Sequence, residues 1–233
     1  KKYINSYLKE TPFPIITEEN KQIDYEERKL WNTCWIVDPV DGTKEFIRKS
    51  DHFTVNIALI SGGEAVFGMI FVPATGAAYY GGQEIGAFKR EENKWQKIST
   101  RSAEKQMQNK KPLEIVASKH HAGQATEDFI DYVKANIAPV ELKSIGSSLK
   151  FCLLAEGAAD IYPRLALTSE WDTAAAQAIL EAAGGKVLRF DMTPLQYNQK
   201  DDILNPFFCA IADKKFDWSS AIAFSAEQLS TEE

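Results

Sequence analysis

The chain has 233 residues, 44% hydrophobic and 26% charged, an ordinary balance for a globular protein of one large domain or two closely joined lobes. Its 27 basic and 33 acidic residues leave a net charge of −6. That excludes nucleic acid as a general electrostatic partner but admits a small phosphorylated molecule, because bound divalent cations invert a local field.

No apolar run is long enough to span a bilayer, and the opening residues carry no signal-peptide pattern. Cys34, Cys152 and Cys209 each lie in an apolar segment, as free thiols do in a reducing compartment, with no metal spacing. In chain order, Lys1 to Lys9 reads as the end of an amphipathic helix, with Tyr3, Ile4, Tyr7 and Leu8 on one face. Pro12 and Pro14 bar a helix next, so Phe13, Ile15 and Ile16 form a short strand leading into Glu18 and Glu19. Lys21 to Asn32 is a charged connection from which no chemistry is read.

Trp35, Ile36 and Val37 predict a buried strand, ended at Asp38 because Pro39 has no ladder donor. Asp41 is then the expected N-cap of a short helix over residues 42–49. Two carboxylates three residues apart across a turn can share a hard cation, and the Gly42 and Thr43 amides at the helix start suit an anion. The same Asp-Pro and Asp-Gly pairs are also ordinary turn dipeptides. Residues 53–60 and 65–72 alternate around Gly62 and Gly63, which predicts a hairpin, continued by residues 77–80 and 87–89 as an antiparallel meander.

Residues 91–111 read as exposed loops, and 113–118 as a strand ending at Ser118, Lys119, His120 and His121. A helix over 126–135 and a strand over 140–145 follow. Ser147 is a natural N-cap for a helix running to Glu156; the other reading is that Gly146, Ser147, Ser148 and Lys150 hold a phosphate there. Glu170 opens a strong helix that runs to Ala183 and stops at Gly184 and Gly185, with Asp172 favourably placed against the helix dipole. Strands over 186–190 and 207–212 and a terminal helix from Ser219 complete the reading.

The run from Trp35 to Thr43 resembles the W-x-x-D-P-x-D-G-T signature of the inositol monophosphatase superfamily of metal-dependent, lithium-sensitive phosphatases. Lys44, Glu45 and Phe46 behind it resemble the CysQ branch of 3'(2'),5'-bisphosphate nucleotidases, as do the run from Gly146 to Cys152 and the stretch from Ala155 to Arg164. Trp171 and Asp172 match the second family signature, W-D-x-A. The resemblance implies a sugar-phosphatase fold of the α/β (α+β layered) class, with alternating helix and sheet layers and the site between two lobes. Those lobes are expected at residues 1–110 and 111–233, joined as one compact unit.

It further implies Glu18, Asp38, the Val40 carbonyl, Asp41 and Asp172 as ligands for two Mg²⁺ ions, with room for a third, and Glu19 as a supporting acid. Gly42 and Thr43 would hold the transferring phosphoryl group, with Thr43 and Asp41 in catalytic roles. Ser118, His120, Gly146, Ser147, Ser148, Lys150 and Asp172 would contact substrate. A helical segment before Lys1, ending in an aspartate that pairs with Thr43 to orient water, is also implied and has no counterpart in this sequence.

The implied activity is hydrolysis of 3'-phosphoadenosine 5'-phosphate to AMP and phosphate in sulfur assimilation, by a cytoplasmic monomer or homodimer without a stable membrane span, though peripheral membrane association is left open. An inositol or sugar monophosphate phosphatase, and a metal- and nucleotide-binding protein without turnover, are the competing readings.

Overall fold

A computed structural model describes residues 8–20, 23–117 and 123–231. The first sheet follows chain order: β1 (Ile15–Thr17), β2 (Thr33–Asp41), β3 (Thr54–Ser61), β4 (Glu64–Phe71), β5 (Ala78–Gly82), β6 (Gly86–Glu91) and β7 (Lys94–Ile98). Only β1 with β2 is parallel; the other pairs are antiparallel neighbours, the expected meander. Gly62 and Gly63, at φ 60° and 85°, make the tight β3–β4 turn.

The second sheet has the order β11 (Lys186–Arg189), β12 (Phe208–Ile211), β10 (Ile161–Arg164), β8 (Leu113–Ala117), β9 (Val140–Ser144). Its β10–β8 and β8–β9 pairs are parallel. The described helices are α1 (Tyr25–Arg28), α2 (Thr43–Ile47), α3 (Ala103–Gln108), α4 (Gln124–Asn136), α5 (Leu149–Ala155), α6 (Glu170–Ala183) and α7 (Ser219–Thr231).

Burial sorts these into layers. α6 packs on β2 to β6 and on β11, α5 on β10 and β12, and α4 stacks with α7 beyond the second sheet. One core joins Ile36, Ala58 and Ile70 of the first sheet to Ala175, Ile179 and Leu180 of α6 and to Phe151 and Phe208 beyond it. A second core, with Phe129, Val133, Trp218 and Ile222, seals the outer helices to the second sheet. This is the mixed α/β layering the resemblance implies, and α6 lies on a sheet built from the N-terminal half.

Four local expectations fail for physical reasons. β2 does not stop before Pro39 but runs to Asp41, with a register irregularity between Asp38 and Asp41. Val40, displaced from the ladder, donates its amide to Asp38 Oδ1 at 2.9 Å instead. Asp41 is therefore not an N-cap: Gly42 takes that place in the left-handed region at φ 87°. Ser147 is likewise no cap; it adopts φ 49°, and α5 starts after Ser148. Residues 91–111 are not all loop. Glu92 and Asn93 at φ 47° and 61° turn β6 into β7, a charged edge strand, and Ser102 caps α3 by accepting from the Lys105 amide. The helical reading of residues 1–9 falls largely outside the described residues.

Gly68 of β4 shows how tightly α6 is seated. A Cβ there would lie 2.0 Å from the Ala175 carbonyl oxygen, which is helix backbone and cannot swing away. Gly68→Ala should cost about 2 kcal/mol or more through overpacking. In a chain of this size that is a drop of roughly 4–8 °C in Tm by scanning calorimetry; an unchanged Tm would show that the helix can lift off the sheet freely.

Candidate active site and metal centre

Asp38 and Asp41 come from the irregular end of β2, and Asp172 from the first turn of α6. One carboxylate oxygen from each lies within 4.8 Å of the other two. Every member is oriented by a donor. Asp38 accepts from Val40, and Asp172 accepts from the Ser169 amide at 2.8 Å in a capping box. Asp41 Oδ2 accepts from the Ser148 amide at 2.6 Å and from Thr54 Oγ1 and Asn56 Nδ2, each at 3.3 Å.

Burial, reinforced by the Asp41 charge, pushes Asp38 up to about 9 and Asp172 up to about 7. Burial also raises Asp41, opposed by Lys150 and by its own hydrogen bonds. Lys150, 7% exposed, is lowered by burial to about 8. Three oxygen donors that repel one another in a partly buried cluster fit a hard divalent cation, which would remove the repulsion and take the oxygens as ligands.

Beside the cluster is a cavity of about 260 Å³. Asp41, Gly42, Thr43, Gly146, Ser147, Lys150 and Asp172 all line it, so the structure gathers these predicted residues around one space. The two loops meet closely: a Cβ on Gly42 would lie 3.1 Å from the His52 carbonyl and 3.4 Å from Ser147 Cβ. Ser147 Oγ is buried without a hydrogen-bond partner, an orphan hydroxyl at the cavity. Thr43 is exposed, and its hydroxyl donates to the Val40 carbonyl at 3.4 Å.

Other predicted residues sit elsewhere. Ser148 does not line the cavity: its amide serves Asp41 and its hydroxyl pairs with Asn56 and Thr54, each at 2.8 Å. Glu18 follows β1, where Thr17 pairs with Val37, and its side chain is exposed; its charge adds to those raising Asp38 and Asp172. Glu19 is exposed beside it. Ser118 and His120 lie outside the described residues.

The sequence reading missed Thr54 and Asn56, and Arg164 entered it only as the end of the stretch from Ala155 that resembles the CysQ branch. The first two were readable as polar residues on one face of an alternating strand, a face that proves buried, with Thr54 at 0% and Asn56 at 1% exposure. Arg164 closes the cavity at the end of β10, donating to the Leu167 carbonyl at 3.0 Å while its Nε is buried without a partner.

The Inositol monophosphatase family profile matches residues 2–216. The chain is 35% identical over 213 residues to the 3'(2'),5'-bisphosphate nucleotidase CysQ of Haemophilus influenzae, covering 91% of this chain and 76% of that one. It is 39% identical over 195 residues to the Escherichia coli (strain K12) protein of the same name, covering 84% and 74%. The crystal structure of CysQ from Bacteroides thetaiotaomicron superposes with a TM-score of 0.82 at 42% identity, covering 91% of this chain and 82% of that one. An inositol monophosphatase structure from Zymomonas mobilis shares the fold, with a TM-score of 0.72 at 21% identity and coverage of 97% and 80%.

The raised carboxylates bind more protons folded than unfolded between the ordinary value of 3.8 and the folded values of about 7 for Asp172 and about 9 for Asp38. Stability without metal therefore falls as pH rises through that interval. In excess chelator, Tm should decline from about pH 5 to about pH 9, and Asp172→Asn should flatten the decline. Scanning calorimetry across a pH series checks this; a Tm that climbs over the same range would contradict it.

Proposed function

The chain belongs to the inositol monophosphatase family, and on that footing we propose that it is a metal-dependent 3'(2'),5'-bisphosphate nucleotidase that hydrolyses 3'-phosphoadenosine 5'-phosphate to AMP and phosphate. The observation that carries the substrate is the mixed lining of the cavity. Asp41, Asp172 and Glu45 bring carboxylates to it, while Lys150, Arg164 and the orphan Ser147 hydroxyl bring cationic and polar donors. An inositol monophosphate has one phosphate and needs only the carboxylates. A nucleoside bisphosphate places its scissile phosphate at the carboxylates and its other phosphate on the cations.

Asp38, Asp41 and Asp172 would hold Mg²⁺, joined by Glu18 and the Val40 carbonyl, in a site for two ions with room for a third. When bound, the ions supply Lewis-acid activation of water and neutralise charge on the leaving oxygen. The residues themselves do the rest. The Gly42 and Thr43 turn holds the phosphoryl group, and Thr43, exposed at the cavity, orients the attacking water through its hydroxyl. Water oxygen bonds to phosphorus, the ester P–O bond breaks, and the ribose oxygen leaves with a proton. Lys150, anchored by donating to the Ser147 carbonyl at 2.9 Å, presents its remaining N–H groups to the second phosphate.

Buried Cys34, Cys152 and Cys209 suit a reducing, cytoplasmic setting, and no described helix is long and apolar enough to cross a membrane.

Phosphate release from a panel with Mg²⁺ tests the proposal. The nucleoside 3',5'-bisphosphate should exceed inositol monophosphate in kcat/KM by at least about tenfold, the value of one charged contact; a reversed preference overturns the substrate assignment. Arg164→Met should raise KM for the bisphosphate about tenfold with kcat within about threefold, the signature of lost uniform binding. Its effect on a nucleoside monophosphate should be small, and steady-state kinetics on both substrates decide the point.

A further inference from the structure

Arg28 lies in the charged connection before β2, where the sequence shows no chemistry, yet it is only 3% exposed. A guanidinium so deeply buried must be paired. Its Nη1 donates to Asn198 Oδ1 at 2.9 Å, its Nη2 donates to the Asp201 carbonyl, and Asn198 Nδ2 donates back to the Arg28 carbonyl at 2.8 Å.

Asn198, itself 3% exposed and at φ 55°, passes the contact on: its amide donates to Glu170 Oε2 at 2.8 Å. Glu170 is fully buried, opens α6, and stands two residues before Asp172. Its own amide donates to the Ile203 carbonyl at 2.9 Å. Asn205 Nδ2 holds the same turn, donating to the Ser169 carbonyl at 2.7 Å and to Thr173 Oγ1 at 3.0 Å. The first turn of α6 is thus gripped by residues 198–205, and Arg28 braces that segment at Asn198 and Asp201.

Arg28 also closes the short helix that leads into β2, and β2 ends on Asp38 and Asp41. The network therefore joins the approach to two carboxylates of the cluster with the helix start that carries the third. We propose that Arg28 is a positioning residue for metal binding: through Asn198 and Glu170 it fixes Asp172 relative to Asp38 and Asp41. The inference rests on the reading of Asp172 as a metal ligand. Partners behind a ligand typically govern affinity by tenfold or more, because a misaimed carboxylate cannot complete a small ion's shell.

The test uses the full chain with Mn²⁺ as probe, free ion being counted by electron paramagnetic resonance well below each variant's Tm, with folding checked by circular dichroism. Arg28→Lys keeps the charge but loses the two-pronged contact. Asn198→Gly keeps the left-handed backbone and the amide to Glu170 but cuts the link to Arg28, so it reads the same tie if Arg28 variants do not fold. Each should weaken Mn²⁺ binding about tenfold, and neither should weaken it further in an Asp172→Asn background. Unchanged Mn²⁺ affinity in folded variants, even with a lowered Tm, overturns the proposal, as do losses that add to Asp172→Asn. Unchanged affinity in Asp172→Asn alone would remove the metal reading itself; a loss there with none in Arg28→Lys or Asn198→Gly removes only this inference.

Discussion

Three carboxylates that repel one another, and that the fold nevertheless keeps within 4.8 Å, are the constraint on which the rest of the site depends. At an effective dielectric of about 20, each pair of ionised groups at such a distance opposes the fold by roughly 3 kcal/mol. Among the described residues two cations oppose these charges, Lys150 near Asp41 and Arg164 near Asp172. The oxygens themselves are held by neutral donors: the amides of Val40, Ser148 and Ser169, the Thr54 hydroxyl and the Asn56 amide group. Neutral donors fix the oxygens without neutralising them, and burial together with the remaining repulsion holds Asp38 and Asp172 above the ordinary carboxylate range. That combination favours a hard cation over closure of the carboxylates around an internal ion pair.

The parts of this arrangement legible in the sequence are those whose chemistry is local. Asp38, Asp41 and Gly42 sit in one contiguous turn whose chemistry can be read locally, whereas Asp172 reads locally only as a favourable acid at a helix start and is marked as a ligand by the family resemblance alone. The meander was equally plain, because alternation and paired glycines mark hairpins. Ser147 and Ser148 could not be told apart from sequence. One sits at φ 49° with an orphan hydroxyl, and its neighbour turns inward to serve Asp41 across 107 positions of chain. Arg28 was hidden for the same reason, since its partner Asn198 is 170 residues away. Pro39 misled in the opposite direction. A proline normally ends a strand, but here the missing donor falls at a register irregularity, and the carboxylate of Asp38 replaces the ladder acceptor for Val40.

A net charge of −6 opposes an anionic substrate until the charges are placed. Lys150 on α5 and Arg164 at the end of β10 line the cavity together with Asp41 from the end of β2 and Asp172 from α6. On the proposed reading the carboxylates would repel phosphate when metal-free and attract it once cations are bound, which would link metal and substrate binding in sign. Lys150 is attracted to Asp41, so a cation bound at Asp41 would weaken that attraction and leave the ammonium to a phosphate.

Geometry must then be held across the layers, because the residues lining the cavity come from several of them. α6 packs on the first sheet and on β11 of the second. Its body is fixed by backbone contact, the Ala175 carbonyl lying where Gly68 has no Cβ, and this sets the helix's height above the first sheet. Its start is fixed separately, by Asn205 at Ser169 and Thr173 and by Asn198 at Glu170. A helix pinned at one point could still pivot and swing Asp172 through more than the few tenths of an ångström that an octahedral magnesium shell tolerates. Two independent attachments, one apolar and close-packed, the other polar and buried, remove the pivot. The distance between Asp172 and the end of β2 is therefore a property of the whole layered core and not of the loops that line the cavity.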